Sequence, residues 1–557
     1  MVSIKSYNKR LENLRAERSS FIPLWRELSD HHLAYRGRFL TSDRNKGHKR
    51  NTRQYNNTSR MASRTLAAGM MAGITSPARP WFKLQSGDPE LSEFATVKAW
   101  LHDVQQIMYR VYSQSNTYNS LQALYSELGV FGTAPMGIFH DFNNVIRCKP
   151  YTIGSYMIAA NGLDQIDTFY REYELPVSSL VSQFGLDNCS DHVKDLWKRG
   201  STETWIKIVH LVEPNDDRDS QSPLAKDKAF RSVYYESEAN ARSTEDIFLR
   251  RSGFDEYPIP CPRWDVAGED VYATDSPGML ALGDTKALQL GEKRKYQAVD
   301  KLANPPLQGD TSLQSKVAQG GLKPDDIIYG DMANGGLNSI YGNYRPDLGA
   351  ILTINQEAEQ RIKRAFYEDL FLMLANSDRR QITAREVAEK HEEKLLMLGP
   401  VLERLHSELL DPLIDRTFNI LQRSGVLPPP PPEIENSELS VEYVSVLAQA
   451  QRMVAVGGLE RLTAYAAEVS TVWPEARHKI DPMQAIDEYA HSMGVNPKVV
   501  RGDDDAEEAA AAEAQAAQAA AMQESVAQTA QTAKTAAETP MGDDNALNTL
   551  LRNAGLQ

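Results

Sequence analysis

The longest regular pattern of apolar positions lies in the C-terminal half of the chain. Apolar residues recur from Val387 to Leu421, at spacings of three and four through the middle of the stretch. This spacing predicts one apolar stripe along a long helix. Thr383 and Glu386 form a capping box, and Ile382 with Val387 forms the matching hydrophobic staple. We therefore place the start of this helix at Thr383.

Two interruptions break this long helix. A proline removes a helical hydrogen bond, so Gly399-Pro400 and Pro412 predict kinks. The helix should end at Ser424-Gly425, before the stiff spacer Pro428–Pro432. Thr383–Arg423 would be ~60 Å long if it were straight. Such a strut needs a long surface to lie on, which identical neighbours in a ring or a compact monomer folded around it would equally supply.

Helical spacing predicts further helices on both sides of this strut. They lie in residues 1–30, 59–73, 91–130, 276–303, 353–374 and 440–500. Ser276 is a capping residue and Pro277 occupies the first helical position of the segment 276–303. Thr353 opens a second capping box, "TINQ". We expect these two signals to fix the starts of two neighbouring helices.

Three glycines interrupt the predicted helix 276–303, at Gly278, Gly283 and Gly291. Each costs about 1 kcal/mol relative to alanine inside a helix. Such glycines are either tolerated surface positions or points where a neighbouring helix approaches closely. The sequence favours neither interpretation.

Strand-like patterns are concentrated between residues 131 and 275. The clearest are "APMGIFHDF", "TWIKIVHLV" and "RSVYYES". A glycine-rich stretch, 307–352, adds the short strand candidate "DDIIYGD" between the helices that flank it. The predicted fold class is therefore α+β and mainly helical.

Composition limits the class of protein. The 557 residues predict roughly three to four domains, and the 41% hydrophobic and 24% charged fractions are ordinary for a globular protein. Cys148, Cys189 and Cys261 are far apart, which excludes a disulfide framework and a cysteine-rich zinc site. No apolar run reaches the length of a membrane-spanning helix, and the charged N-terminus lacks the apolar region of a secretory signal.

Charge is distributed unevenly along the chain. Residues 1–64 hold 15 Lys/Arg and 5 Asp/Glu, a net charge of +10, whereas residues 501–557 hold 3 and 10, a net charge of −7. The basic stretch 36–64 is either a solvated loop or a contact for nucleic acid or an acidic partner. Its candidate contact residues are Arg44, Lys46, Lys49, Arg50 and Arg53. The overall charge of −14 argues against a tight, general DNA-binding protein.

Motifs for enzymatic chemistry are missing from the sequence. There is no phosphate-binding GxxxxGK[ST] loop and no GxSxG elbow, and "HEEKL" at His391 lacks the second histidine of a zinc protease. The acidic clusters at 215–219 and 503–505 lack the spacing of a calcium loop and are interpreted as solvated charge. We expect no metal, no cofactor and no catalytic activity. A DNA nuclease, the alternative from another class, would need a carboxylate cluster that binds metal.

Four stretches together resemble a known family. They are "LAAGMMAGITSPARPWFKL" (66–84), "IGSYMIAANGLDQIDTFYREYELPVSSLVSQFG" (153–185), "ITAREVAEKHEEKLLMLGPVLERLHSELLDPLIDRTFNIL" (382–421) and "VEYVSVLAQAQ" (441–451). With the order helix, glycine-rich insertion, helix, polar loop and kinked helix, they resemble the phage portal proteins. The similarity is to the head-to-tail connector family of short-tailed, T7-like phages.

This resemblance implies a ring of twelve subunits, although the sequence does not distinguish twelve from thirteen. The ring would form at one capsid vertex of the virion after assembly in the host bacterial cytoplasm. Genomic duplex DNA would pass through it without sequence specificity. The implied partners are the terminase large subunit, tail adaptor and nozzle proteins, capsid and scaffolding proteins and internal ejection proteins. No insertion of this chain into a membrane is implied. Another ring or tube component of the tail is the alternative within structural proteins.

The resemblance also divides the chain into named segments. They are an α+β wing (1–275), a first stem helix (276–303), a clip (304–352), a second stem helix (353–372), a tunnel loop (373–382), the long kinked helix with its proline-rich linker (383–432), a crown (433–500), an alanine-rich barrel helix (501–540) and a flexible tail (541–557). The alanine-rich segment could equally be a disordered acidic tail.

Two groups of residues would line the DNA channel. The first is the tunnel loop, with Asn376, Ser377, Asp378, Arg379, Arg380 and Gln381. The second is the lumen-facing side of the second stem helix, with Arg361, Lys363 and Arg364. Every phosphate-neutralising contact strengthens DNA binding, so a lumen crowded with cations would stall the duplex. Mixed charge, as in Asp378 beside Arg379 and Arg380, predicts weak contact that is blind to sequence.

Overall fold

The computed structural model describes a defined part of the chain. The described residues are 3–39, 54–87, 94–219, 221–222, 224–237, 246–303, 307–309, 327–329, 338–339, 347–375, 398–434 and 439–444, with isolated positions between 462 and 518. The chain divides into two compact units, Met1–Gly457 and Gly458–Gln557. In the second unit the described positions include helical residues 465–469. All the named helices and strands below lie in the first unit.

The helices of the first unit fall between residues 4 and 423. They are α1 (Ile4–Ser19), α2 (Ile22–His31), α3 (Thr58–Gly73), α4 (Ala95–Gln114), α5 (Thr117–Phe131), α6 (Val177–Phe184), α7 (Asp191–Lys198), α8 (Pro277–Leu280), α9 (Leu282–Ala303), α10 (Leu348–Ala365), α11 (Glu368–Ala375), α12 (398–405) and α13 (Asp411–Arg423).

The strands form four sheets in the described residues. They are β1 (Phe82–Ser86), β2 (Met136–Asp141), β3 (Val145–Pro150), β4 (Tyr156–Ala160), β5 (Ile166–Pro176), β6 (Trp205–Pro214), β7 (Phe230–Glu236), β8 (Arg250–Phe254), β9 (Leu307–Gly309), β10 (Ile327–Tyr329), β11 (Asn338–Ser339) and β12 (Leu439–Tyr443). β4 to β8 form one antiparallel sheet in sequence order, β2 pairs with β3, β9 joins β10 and β11, and β1 pairs with β12.

The five-stranded sheet has a helix layer on each face. Ile4, Tyr7, Leu11 and Leu14 recur on one side of α1 and are buried against one face. Residues of α6 and α7 cover the other face. Because side chains alternate across a strand, each face receives every second residue. Full burial of such an apolar side chain contributes about 1.5–3 kcal/mol.

The main core lies beside this sheet. It is built from α3, α4, α5, the β2–β3 hairpin and α13, and its largest fully buried side chains include Trp25, Trp81, Tyr112 and Phe131. The pair β1–β12 joins distant parts of the chain, with Phe82 opposite Tyr443 and Leu84 opposite Val441.

A proline strap closes the outer edge of β2. The carbonyl oxygens of Pro258, Pro260 and Pro262 accept hydrogen bonds from the amides of Ile138, Met136 and Ala134, respectively, at 2.8–3.2 Å. A proline has no N–H to return, so the strand carbonyls need other donors. Buried Arg416 supplies one of them, since its Nε donates to the Ile138 oxygen at 2.7 Å.

Many of the predicted elements are confirmed. The three quoted strand candidates become β2, β6 and β7, and the glycine-rich stretch contains β10. Residues 91–130 contain two helices as expected. Ser276 caps α8 with its side chain and Pro277 lies in the first turn. Ser424 ends α13, and Gly425 follows with φ of +67°.

Three predicted boundaries are wrong. The second helix of the pair starts at Leu348, five residues before its predicted start, because Asp347 caps α10. Thr353 donates instead to the Gly349 oxygen at 3.0 Å. This helix also does not run unbroken to residue 372, because Tyr367 adopts φ of +52° between α10 and α11. Residues 440–443 are not helical, because pairing with β1 outweighs their helical spacing.

The strut is described only from residue 398 onward. Its predicted interruption at Pro412 coincides with a π-helical turn, His406–Leu410, directly before α13. The wider turn accommodates a proline that would otherwise clash with the carbonyl four residues earlier. The predicted start at Thr383, the alanine-rich segment as a continuous helix and the tail 541–557 lie outside the described residues.

The glycines of the first predicted stem helix divide between the two interpretations. A Cβ at Gly278 would lie 2.5 Å from the Val130 oxygen, and one at Gly291 would lie 2.2 Å from Asn355 Oδ1. These two positions are close approaches. A Cβ at Gly283 would meet nothing within 4 Å, so this glycine is a tolerated surface position.

Candidate functional site

Helices α9 and α10 form an antiparallel pair with a polar interface. Asp284 contacts Arg361, whereas Glu292, further along α9, contacts Asn355, earlier in α10. Asn355 Nδ2 donates to Glu292 Oε1 at 2.8 Å, and both side chains are buried. Lys295 Nζ lies 2.6 Å from the same carboxylate. The missing side chain of Gly291 makes room for the Asn355 amide, so the pair is held in one register by polar contacts.

The chain segment before α3 docks on this helix pair. Gln289 Oε1 accepts hydrogen bonds from the amides of Tyr55 and Asn56 at 2.6 and 3.0 Å. Asn56 Nδ2 donates to Glu359 at 2.8 Å. This anchor lies directly after the basic segment of residues 40–53. Its candidate residues Arg44, Lys46, Lys49, Arg50 and Arg53 lie outside the described residues.

The three predicted stem residues behave differently from one another. Arg361 Nε donates to Asp284 Oδ1 at 2.8 Å, so its charge is largely compensated. Lys363 and Arg364 are exposed, and neither forms an ion pair within the part of the chain that the structure describes. The structure therefore brings Arg361 into the helix pair and leaves two cations on its surface. The combined surface carries both signs of charge.

Apolar side chains are exposed on the same two helices. Leu290 of α9 is 48% exposed and Ile354 of α10 is 62% exposed. Tyr296, Val299, Leu302 and Leu352 are exposed as well. Contiguous exposed apolar surface commonly marks a protein–protein contact.

The predicted tunnel loop falls between two well-packed anchors. On one side, Phe371 of α11 packs so closely on α3 that a Cβ at Gly69 would lie 2.3 Å from it. On the other side, Leu398 is buried at the start of α12. The loop residues Asn376, Ser377, Asp378, Arg379, Arg380 and Gln381 lie outside the described residues.

An ion pair between buried Arg263 and half-buried Glu408 fixes the strut that follows this loop. Arg263 Nε and Nη2 donate to Glu408 Oε1 at 3.1 and 2.7 Å, and the Arg263 amide donates to Glu408 Oε2 at 2.7 Å. Arg263 Nη2 also donates to the Asp164 oxygen at 2.7 Å. Glu408 lies in the π-helical turn, so this network attaches the irregular part of the strut to the body.

Sequence reasoning missed the polar residues that hold the helix pair together. Gln289, Glu292 and Asn355 are buried, although their residue types suggest a solvated face. One signal was available, since Thr285, Gln289 and Glu292 recur at spacings of four and three on the stripe that α9 buries. In the described residues no cluster of His, Cys, Asp or Glu could hold a metal ion. Among the same residues, no helix is both long and apolar enough to span a membrane.

The fold and this surface define a class of structural protein, in which a well-packed α+β body carries a helix pair with apolar and mixed-charge surfaces. The chain belongs to the family of bacteriophage head to tail connecting proteins, whose family model matches residues 4–500. It is 44% identical over 549 residues to the portal protein of Salmonella phage epsilon15, covering 98% of each chain. It is also 44% identical over 493 residues to the probable portal protein of Bordetella phage BPP-1, covering 88% of this chain and 87% of the relative. The resemblance drawn from the sequence is thereby confirmed.

Proposed function

We propose that this protein is the portal of a phage capsid. Copies form a ring of twelve at one vertex, and duplex DNA is packaged and later ejected through the central channel. The observation that carries the proposal is the similarity to a portal protein along 98% of both chains. The role is structural rather than catalytic. The ring is also the attachment platform for tail proteins and the point from which head assembly starts.

The exposed apolar residues of α9 and α10 support assembly into a ring. A head-to-tail contact between identical copies closes into a ring when its rotation allows. Leu290 and Ile354 would be covered by the helix pair of the neighbouring copy. The exposed charges of the pair would then face the channel or the outside of the ring.

The named segments follow from this proposal. Residues 1–275 form the wing, α9 and α10 form the stem, and residues 304–352 contribute the clip that meets the terminase and later the tail. Residues 373–382 form the tunnel loop, 383–432 the strut and linker, 433–500 the crown and 501–540 the barrel. The early start of α10 moves the boundary between clip and stem toward Leu348.

Electron micrographs of the purified protein test the ring. Class averages should show twelvefold particles with a central hole wide enough for duplex DNA. A population of compact single subunits under all solution conditions, with no ring in virions, would overturn the proposal. A metal-dependent DNA cleavage assay on the same material separates it from a nuclease.

A second experiment tests the channel contacts. Replacement of Arg379 and Arg380 by alanine should alter DNA packaging or retention while rings still form. The control replaces Lys198 and Arg199, two exposed cations on and after α7, by alanine. Normal packaging and retention by the loop variant would show that the tunnel loop makes no functional contact.

A further inference from the structure

Three cations from distant parts of the chain meet on the surface of the body. They are Arg38 after α2, Lys149 of β3 and Arg171 of β5. Lys149 Nζ lies 5.8 Å and Arg171 Cζ 5.1 Å from the centroid of the same Tyr151 ring. Burial, together with the positive charges of Arg171 and Arg38, lowers the pKa of Lys149 to about 8. Within the described residues none of the three cations forms an ion pair, so like charges gather without a counterion.

Arg171 is held in place by its neighbours. Its guanidinium lies between the rings of Tyr151 and Tyr173, 4.1 Å from the centroid of the latter. Its Nε donates to Nδ1 of His210 at 3.3 Å. Burial first, and then the charge of Arg171, lower the pKa of His210 well below its ordinary value, so the ring is neutral. With Nδ1 accepting, Nε2 carries the proton and donates to Ser232 Oγ at 3.2 Å.

This arrangement orients the guanidinium for an external partner. His210 is itself fixed, since it stacks on Tyr234 with ring centroids 3.9 Å apart. His210 accepts a hydrogen bond from Nε of Arg171 alone. The two terminal nitrogens of the guanidinium can therefore donate to a bidentate acceptor. A planar fork with further donors beside it matches the geometry of carboxylate and phosphate groups.

Arg38 connects this cluster to the basic segment. The Arg38 amide donates to the Ile153 oxygen at 2.9 Å. Gly154, with φ of +82°, allows a close approach, since a Cβ there would lie 2.3 Å from the Arg38 oxygen. The chain then continues into the segment that carries Arg44 to Arg53 and docks again at Asn56 on the helix pair. The cluster therefore stands at one end of a continuous basic stretch.

We propose that Arg38, Lys149 and Arg171 bind the phosphates of a nucleic-acid backbone, at a site on the body that is separate from the helix pair. Several cations in sequence and space favour a polyanion over one isolated carboxylate. Each phosphate that a protein neutralises releases counterions and steepens the salt dependence of binding. The site does not depend on the ring or its channel. An experiment that refutes ring assembly therefore leaves this site untouched, and one that refutes this site leaves ring assembly untouched.

The test is the salt dependence of binding to duplex DNA of arbitrary sequence. The purified full-length protein is titrated over a series of NaCl concentrations, as wild type and as Lys149→Gln with Arg171→Gln. The variant should bind more weakly, and the slope of log K against log salt should fall by about two. The matched control, Lys198→Gln with Arg199→Gln, removes two exposed cations elsewhere and should leave the slope unchanged. Equal slopes for wild type and variant would overturn the proposal.

Two further variants separate the outcomes. Arg171→Lys keeps the charge but loses the fork, so affinity should drop while most of the slope remains. If the double variant does not fold, as judged by its melting temperature, exposed Arg38→Gln replaces it, with a slope reduced by about one. A variant that binds DNA normally but forms fewer rings would assign the cluster to a carboxylate of a neighbouring copy and refute the phosphate site.

Discussion

The sheet with α1 and the helix pair α9–α10 differ in what they bury and what they expose. Under α1 the apolar side chains are inside, and charges such as Arg15 and Glu172, 2.8 Å apart, lie at the rim. The helix pair also buries apolar residues such as Leu288 and Ile362, but it adds a buried polar contact between Asn355 and Glu292 and leaves Ile354 exposed. The first arrangement is complete within one chain. The helix pair has the exposed apolar residues that are typical of a protein–protein interface.

This difference separates two sources of stability. Burial of apolar area stabilises the body whether or not other copies are present. The helix pair gains register from buried polar groups, which require specific partners, and its apolar surface gains nothing in an isolated chain. Changes in the body should therefore affect folding, whereas changes on the outside of the pair should affect assembly.

The largest expected effect is on assembly. Replacing Leu290 and Ile354 together by glutamate should abolish rings, because charge would be buried in the proposed contact between neighbouring helix pairs. Light scattering after size-exclusion chromatography measures the loss. The control places glutamate at Leu163 and Leu224, which are exposed on the body, and should keep the rings. If both variants form rings, the helix pair does not take part in the contact between subunits.

The next effect concerns the buried ion pair of the body. Arg263→Met removes the guanidinium that donates to the Glu408 carboxylate and the Asp164 carbonyl, so that only the backbone amide of residue 263 still donates to Glu408. Loss of one partner of a buried pair costs about 3–5 kcal/mol, which a denaturant titration measures. Lys286→Met breaks the exposed pair with Glu27, for which we expect a loss below about 1 kcal/mol. Similar losses would mean that burial does not distinguish these two pairs.

Two glycines on one helix give a matched comparison. Gly291→Ala forces the new methyl group against the Asn355 amide, and overpacking of this kind costs about 1–3 kcal/mol. Gly283→Ala meets open space on the same helix and should stabilise it by about 0.5–1 kcal/mol. Thermal unfolding of both variants measures whether each substitution raises or lowers the melting temperature. A stabilising Gly291→Ala would contradict the close packing of the pair.

A pH dependence is expected at the joint between the body and the helix pair. His32 is buried beside Phe366, with ring centroids 5.7 Å apart. Burial is the main cause that lowers its pKa from 6.5 to about 3. Between these values the unfolded chain binds a proton that the folded chain does not. Stability should therefore fall by about 1.4 kcal/mol for each pH unit below 6.5.

Denaturant titrations at two pH values between 5 and 6.5 measure this slope. His32→Leu should show a shallower decline than wild type, because its contribution is removed while that of the other histidines remains. His192→Gln, at an exposed position of α7, is the control and should follow wild type. An unchanged slope in His32→Leu would mean that this histidine is not kept neutral by burial.

Local signals in the sequence were sufficient for many element boundaries. Two helix ends were set by hydrogen bonds and backbone angles within a few residues, one at Ser276 and Pro277 and the other at Ser424 and Gly425. Two strands of the large sheet, β6 and β7, were predicted because alternation and β-branched residues mark a half-buried surface. Such features depend little on the rest of the chain.

Contacts between distant segments were not predictable in the same way. The capping box at Thr353 is plausible locally, yet Asp347 starts the helix earlier by accepting from the Ala350 amide. Residues 440–443 read as helical until β1 is placed beside them. The predicted tunnel loop lies outside the described residues and stays a prediction. The cluster of Arg38, Lys149 and Arg171 exists only after folding, because its members are separated by up to 133 positions.

The proline strap has a consequence for the proposed assembly of many identical copies. An open strand edge offers unpaired amides and carbonyls to any similar edge, and this invites indiscriminate pairing. Prolines at every second position cover the edge of β2 with groups that cannot extend the ladder further. When many identical chains are brought close together, the strap prevents this hairpin from pairing with a strand of another copy. Contacts between copies then depend on side chains and on surface shape.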